Sequence, residues 1–391
     1  MRYLTKKDTI LSTVFVFVLL GILALIPLNT KVLDPIKLGL TDFDFTDISY
    51  SKLGKGKNSL VDSNIVIINV EDLDRLGISD LLSTIKGYPK VTGLDVLFED
   101  KKEEKADSAL TQTIKHFPNL VLASKLELGE NTFKRKGFFN NKAKHTGFVN
   151  FIGEEIGTIR IFSPKESVEK ETEKSFAVRI VELYKPEAAK TIIERNNKTE
   201  IINYKRTAEK YMIVSATELL SGEINVGILK NKIVLIGFIG PNEFNIEDKH
   251  FSPMNSSFVG KSIPDMNGVI IHANIISMIT EGNYVNKIPA WIFWIVAFFI
   301  CWIHMGYFIK DFLEHHIWYH LKSKTVQIIS AILFVYLEVI CFQYLNLKIN
   351  MAAILLLIVL SVDTLYFYEA LVLWLHKKLN FKTLFAQHNH S

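Results

Sequence analysis

Acidic and histidine side chains in the middle of this 391-residue chain cluster where short apolar runs end. Glu71, Asp72 and Asp74 follow the run NIVIINV (residues 64–70). Asp95 lies within VTGLDVLF (91–98), with Glu99 and Asp100 after it. Gly237 and Gly240 close NKIVLIGFIG (231–240), and Asp248 and His250 follow in EDKH (247–250). His272 stands near the start of an apolar pattern over 268–280. If the runs are parallel strands, their carboxyl ends share one edge, the place where open α/β sheets bind ligands. Carboxylates and imidazoles in one crevice suit a cation or a cationic small molecule. Asp72, Asp95, Asp248, His250 and His272 are therefore the candidate ligand-binding residues. The alternative is structural: Asp72 and Asp74 cap or solvate a turn, Asp95 makes a buried bond and His272 is a satisfied helix residue. These spacings assign no metal.

A second set, His304, Glu338, Asp363 and Glu369, lies inside long apolar runs. Ionisable groups at membrane depth are costly and face a bundle interior or a partner. At the helical rise, His304 and Asp363 lie roughly 22 and roughly 20 Å from the outer ends of their runs. A His304–Asp363 pair is thus geometrically allowed, whereas Glu338 lies only roughly 10 Å deep. Asp363 is expected to face protein, against His304, a hydroxyl or a partner subunit. Glu369 can instead reach toward the cytoplasm. His316 and His320 are four apart, with Glu314 and His315 beside them. That spacing suits a metal, but FLEHHIWYHLK (312–322) reads better as an interfacial segment with Phe312, Ile317, Trp318 and Leu321 in lipid. His388 and His390 read as tail.

The chemistry of an enzyme is not legible. The middle segment lacks a G-x-S-x-G elbow, an H-E-x-x-H helix and any cysteine nucleophile. Gly54 and Gly56, in a stretch read as a solvated loop (52–63), have the wrong spacing for a phosphate cradle. No catalytic activity and no cofactor are expected.

The positioning elements divide sharply. Residues 10–28, 288–309, 325–345 and 351–375 are apolar runs close to the ~20 residues that cross a ~30 Å bilayer core. Arg2, Lys6 and Lys7, then Lys310, Lys322 and Lys324, then Lys377, Lys378 and Lys382 flank them. Four crossings put all three groups on one side, the cytoplasmic one. The expected layout is a cytoplasmic N-terminus (1–9), an uncleaved anchor (10–28) and an extracytoplasmic domain (29–287). Three spans follow (288–309, 325–345, 351–375), with a cytoplasmic loop (310–324) and a cytoplasmic tail (376–391) too short for a catalytic domain. Cys301 and Cys341 both fall in spans, so the exported domain has no disulfide framework, which fits a bacterial inner membrane and periplasm. The formal net charge of +4 is spread over interleaved signs, so nucleic acid is not an expected partner. The expected partners are the lipid bilayer and other membrane or cytoplasmic proteins.

Within the exported segment, the runs 64–70, 91–98, 119–124 and 231–240 read as strands buried on both faces. Helical patterns over 78–86, 106–116, 176–184, 216–220 and 268–280 alternate with them. The fold class expected is α/β, a mostly parallel sheet flanked by helices, plus four transmembrane helices. Here the segment resembles the CHASE2 family of bacterial extracytoplasmic sensory domains. NIVIINVEDLDRLG resembles its opening strand and acidic turn, and VTGLDVLFED its second strand. TGFVNFIGEEIGTIR resembles its mid-domain hairpin ending in Arg160. LKNKIVLIGFIG, EDKHFSPMN and MNGVIIHANIISMI resemble its closing strand, loop and helix. Two departures stand out: ISDLLSTIKGYPK replaces a Trp/Pro/Arg-containing segment, and the cyclase or kinase domain that commonly follows is not in this sequence. The resemblance implies a sensory or recognition role, with the cue passed to a separate partner. The competing expectation is an accessory or scaffold subunit of a bacterial envelope complex for secretion, motility or transport.

Overall fold

The computed structural model describes residues 3–25, 44–55, 59–129, 132–152, 157–169, 171–241, 245–255 and 263–388. Two compact units form, one from Thr41–Val285 and one from Met1–Leu40 with Asn286–Ser391.

The first unit is built on strands β1 (Asp62–Asn69), β2 (Val91–Leu94), β3 (Leu120–Leu128), β4 (Phe133–Lys136), β5 (His145–Phe148), β6 (Ile161–Phe162), β7 (Lys165–Val168), β8 (Glu171–Lys174), β9 (Glu200–Ile201), β10 (Tyr211–Ser215) and β11 (Ile233–Gly237). A parallel set runs β10-β1-β11-β2-β3-β5, and β4, β7 and β8 extend it beyond β3 through antiparallel and parallel pairings. Ile65 to Ile68 and Val234 to Ile236 have no exposed surface. Continuous apolar strands are what a sheet covered on both faces requires.

Helices Arg75–Ile85, Glu104–His116 and Ala216–Ser221 cover one face, where Leu81, Leu82 and Leu110 pack on Val66, Ile68, Val234 and Ile236. Helices Phe176–Tyr184, Pro186–Glu194 and Gly268–Glu281 form the other layer. Asp74 starts the helix Arg75–Ile85 by accepting a bond from the Gly77 amide at 2.8 Å. At Gly147 a Cβ would lie 2.6 Å from the Phe176 Cα, so only glycine lets the helix Phe176–Tyr184 sit on β5. The mostly parallel sheet flanked by helices is thus present.

Three local expectations are corrected. The run 91–98 is a strand only to Leu94, because its neighbour β11 ends at Gly237 and the ladder runs out: the Asp95 amide still donates to the Ile236 carbonyl at 2.8 Å, and then the chain turns. Asp95 therefore lies at the strand's exit and not within it. The mid-domain motif is not a hairpin of the sheet. Its TGF residues belong to β5, parallel to β3, and an isolated antiparallel bridge joins Ile152 to Ile161. In the stretch 52–63, Lys55 and Asp62 are buried, so it is not simply a solvated loop. Asp62 accepts from Ser277 Oγ at 2.6 Å, and burial beside Lys205 lowers the Lys55 ammonium to about 8.

The second unit contains helices Lys7–Leu25, Ala290–Glu314, Tyr319–Leu345 and Met351–Leu379. The last three are long and apolar enough to cross a membrane. Val16 of the first helix shares their core with Cys301, Met305, Leu357 and Val362. Helices extend past the apolar runs at both sides of the expected loop 310–324, leaving a short turn around His316–Trp318. Phe312 turns inward, 5.0 Å from the Tyr319 ring centroid and 6% exposed, whereas Ile317, Trp318 and Leu321 remain exposed. An inward Phe312 fits a helix that continues to Glu314, since its packing face extends with it. Asp8 was not singled out in the sequence. It is buried and accepts from Tyr368 Oη at 3.0 Å, Thr383 Oγ1 at 2.9 Å and the Leu384 amide at 3.0 Å.

Candidate functional site

A cavity of about 310 Å³ opens at the carboxyl ends of the parallel strands. Its position follows from the strand order. The helices after β1 and β2 go to one face, whereas those after β5 and β11 go to the other. Because β11 lies between β1 and β2, chains leaving adjacent strands part in opposite directions, which opens a crevice.

Side chains on the wall come from each of these exits. Asp95 follows β2, Lys125 lies on β3, Phe151 follows β5 and Phe238 follows β11. Asp248 and His250 arrive on a short arm whose strand β12 (Lys249–His250) pairs antiparallel with β13 (Met266–Asn267). His272 is in the first turn or so of the helix Gly268–Glu281. Backbone clamps hold the exits in place. Asn69 accepts from the Glu71 and Ile239 amides at 3.3 and 3.0 Å and donates to the Gly240 carbonyl at 3.2 Å. Asn150 accepts from the Leu126 amide at 2.7 Å and donates to its carbonyl at 2.9 Å. Asp265 holds Ser252 through its amide at 2.8 Å.

Burial and the nearby Asp248 push the Asp95 carboxyl up to about 8. Among the described residues no donor bonds that carboxyl. The Asp248 backbone is left-handed, φ 56°, and its carbonyl accepts from the Gly268 amide at 3.1 Å. His272 is 4% exposed, stacks on Phe151 at 4.6 Å between centroids and meets Phe176 edge-on at 5.2 Å. Burial, reinforced by His250, pushes its imidazole down to about 3, so the ring is neutral. The buried Nδ1 of His272 has no hydrogen-bond partner among the described residues. Such an atom costs free energy unless something binds it.

Of the five candidate ligand-binding residues, the fold brings Asp95, Asp248, His250 and His272 to one wall. Asp72 is exposed and does not line the cavity. It sits in the turn before the helix that Asp74 caps, so the chain carries it away from the strand exit. Lys125 and Phe151 were missed. Lys125 lies on β3 beyond the end of its neighbour β2, and Phe151 follows β5; neither position is marked in the sequence. Among the described residues no group of three or more His, Cys, Asp or Glu is arranged to hold a metal ion.

The intramembrane set is not one cluster. His304 meets Ser330 Oγ at 2.9 Å and the Ile300 carbonyl at 2.8 Å, so of the alternatives open to Asp363 the pair with His304 is not the one formed. Asp363 is exposed between buried Val362 and Thr364, so it lies on the outer face of its helix. Glu338 is buried and Glu369 half-buried.

The family model for the CHASE2 domain matches residues 14–308. No curated protein and no solved structure matches the chain. The chain belongs to the CHASE2 family, whose domains are sensory and not catalytic.

Proposed function

We propose that this chain is a sensory protein of the bacterial inner membrane. Its CHASE2 domain, in the periplasm, perceives an envelope cue in the cavity at the strand ends, and the membrane helices pass the response to a separate partner. The observation that carries the reading is the convergence of Asp95, Asp248, His250 and His272 on one wall, where the buried His272 Nδ1 has no hydrogen-bond partner among the described residues. The orientation rests on Lys and Arg around the apolar segments, with the helix Lys7–Leu25 as a fourth crossing. Sensing requires that the ligand prefer one of two conformations.

One observation favours a second reading. Exposed Asp363 on an otherwise apolar helix surface is what a scaffold subunit would use to join helices of other subunits, because a lone carboxyl facing lipid costs ~2.5–3.5 kcal/mol at a span centre. The test is native purification in mild detergent of wild type and Asp363→Leu. Co-purification of a kinase or cyclase, lost in the variant, is the expected result. A stoichiometric set of structural envelope proteins would establish the scaffold instead. Unchanged assembly and output in Asp363→Leu would remove that residue from either role.

A further inference from the structure

We propose that the cavity receives a small compound bearing a single primary ammonium group, held between Asp95 and Asp248 beside Phe151. The inference rests on the sensory reading of the same cavity and adds the chemistry of what enters it.

The wall is mismatched in a particular way. Asp248 is close enough to make ionising Asp95 costly, and Asp95 has no donor among the described residues. An ammonium offers three donors and a positive charge, which answers both deficits. A divalent metal is the poorer fit, because no set of three ligating side chains converges among the described residues. An anion would meet the Asp248 charge. His272, buried and stacked on Phe151, adds a polar atom on the wall, its Nδ1, that has no partner among the described residues. Phe151 and Phe238 supply apolar surface for a short hydrocarbon portion. Lys125 and Glu247, on the same wall, offset each other's charge and so give a second ammonium no net attraction. The volume, about 310 Å³, is at the small end of the ~300–1,000 Å³ of ligand pockets.

Binding has a proton balance. Near neutral pH the raised Asp95 carboxyl is mostly protonated, and a neighbouring ammonium restores its charge. Its proton goes to solvent, roughly one per ligand bound at pH 7.

Calorimetric titration of the full chain in detergent at pH 7 with n-butylammonium, butyrate and 1-butanol tests this, in two buffers of different ionisation heat. Butylammonium should bind at least tenfold more tightly than the other two and release a proton. Asp95→Asn should weaken it tenfold or more and abolish the release while leaving the melting temperature at pH 6 within a few degrees. Tighter binding of butyrate or butanol, or no binding of butylammonium, overturns the ammonium assignment. A parallel arm separates that failure from failure of the cavity reading. A small-molecule extract of the periplasm should raise the melting temperature of wild type and not of Val149→Trp, whose ring fills the cavity. A shift from the extract with none from butylammonium leaves the cavity standing and rejects the ammonium. No shift from either rejects both.

Discussion

Asp95 and His272 pull the stability of the exported unit in opposite directions with pH. Asp95 holds its proton to about 8 in the folded chain, against ~3.9 when unfolded. The folded state thus binds more protons between those values, and stability falls as pH rises through the window. His272 is held down to about 3 against an ordinary ~6.5, so stability is lost as pH falls below ~6.5. Between pH 6.5 and 8 the Asp95 effect is present and that of His272 is not, with Asp248, Glu247, His250 and Lys125 facing Asp95. The slope limit is ~1.4 kcal/mol per pH unit, and water at the cavity mouth reduces it. We expect a loss of roughly 1–2 kcal/mol over that window, read as a falling melting temperature, and a flatter profile in Asp95→Asn. A variant profile as steep as wild type would place the alkaline loss at another group. Asp95, Asp248, His250 and His272 were legible as candidates because each follows or lies within an apolar run. Lys125 and Phe151 were not, since a lysine inside a strand and one phenylalanine among many carry no distinguishing pattern.

Elements were legible where their period was unambiguous. The helix Phe176–Tyr184 matches the expected span, and the helix Gly268–Glu281 differs from it by one residue. Strand ends were less so, because β2 stops where β11 stops and not where its own apolar residues end. Contacts between layers leave only indirect traces, such as a glycine with no turn to justify it. Gly147 is one. Gly147→Ala would set a methyl against the Phe176 backbone, which cannot move without lifting its helix. We expect a loss of roughly 1–3 kcal/mol, the range for overpacked cores, seen as a lower melting temperature of the purified chain. Gly222, at a left-handed helix end with open space around it, isolates the other cost of losing a glycine: there Ala meets no clash but a backbone strain of roughly 1–2 kcal/mol.

At the scale of the whole molecule, orientation is the property with most consequence for function. Ser167 is exposed on β7, and Lys382 is exposed beyond the last long helix. In cells with a permeabilised outer envelope, Ser167→Cys should react with a membrane-impermeant thiol reagent and Lys382→Cys should not. Labelling at the tail position alone would invert the proposed topology. The sequence by itself determined the α/β class, the apolar helices and the CHASE2 family, because periodicity, hydropathy and ordered motifs are properties of local chain. Which side chains share a wall was decided only by the tertiary structure. Insertion of β11 between β1 and β2 turns exits separated by more than a hundred residues into neighbours, and the same packing leaves Asp72 outside. Helix rotation likewise turned Asp363 outward and matched His304 to Ser330, because depth along a helix can be counted from residues but the face it presents depends on what packs against it.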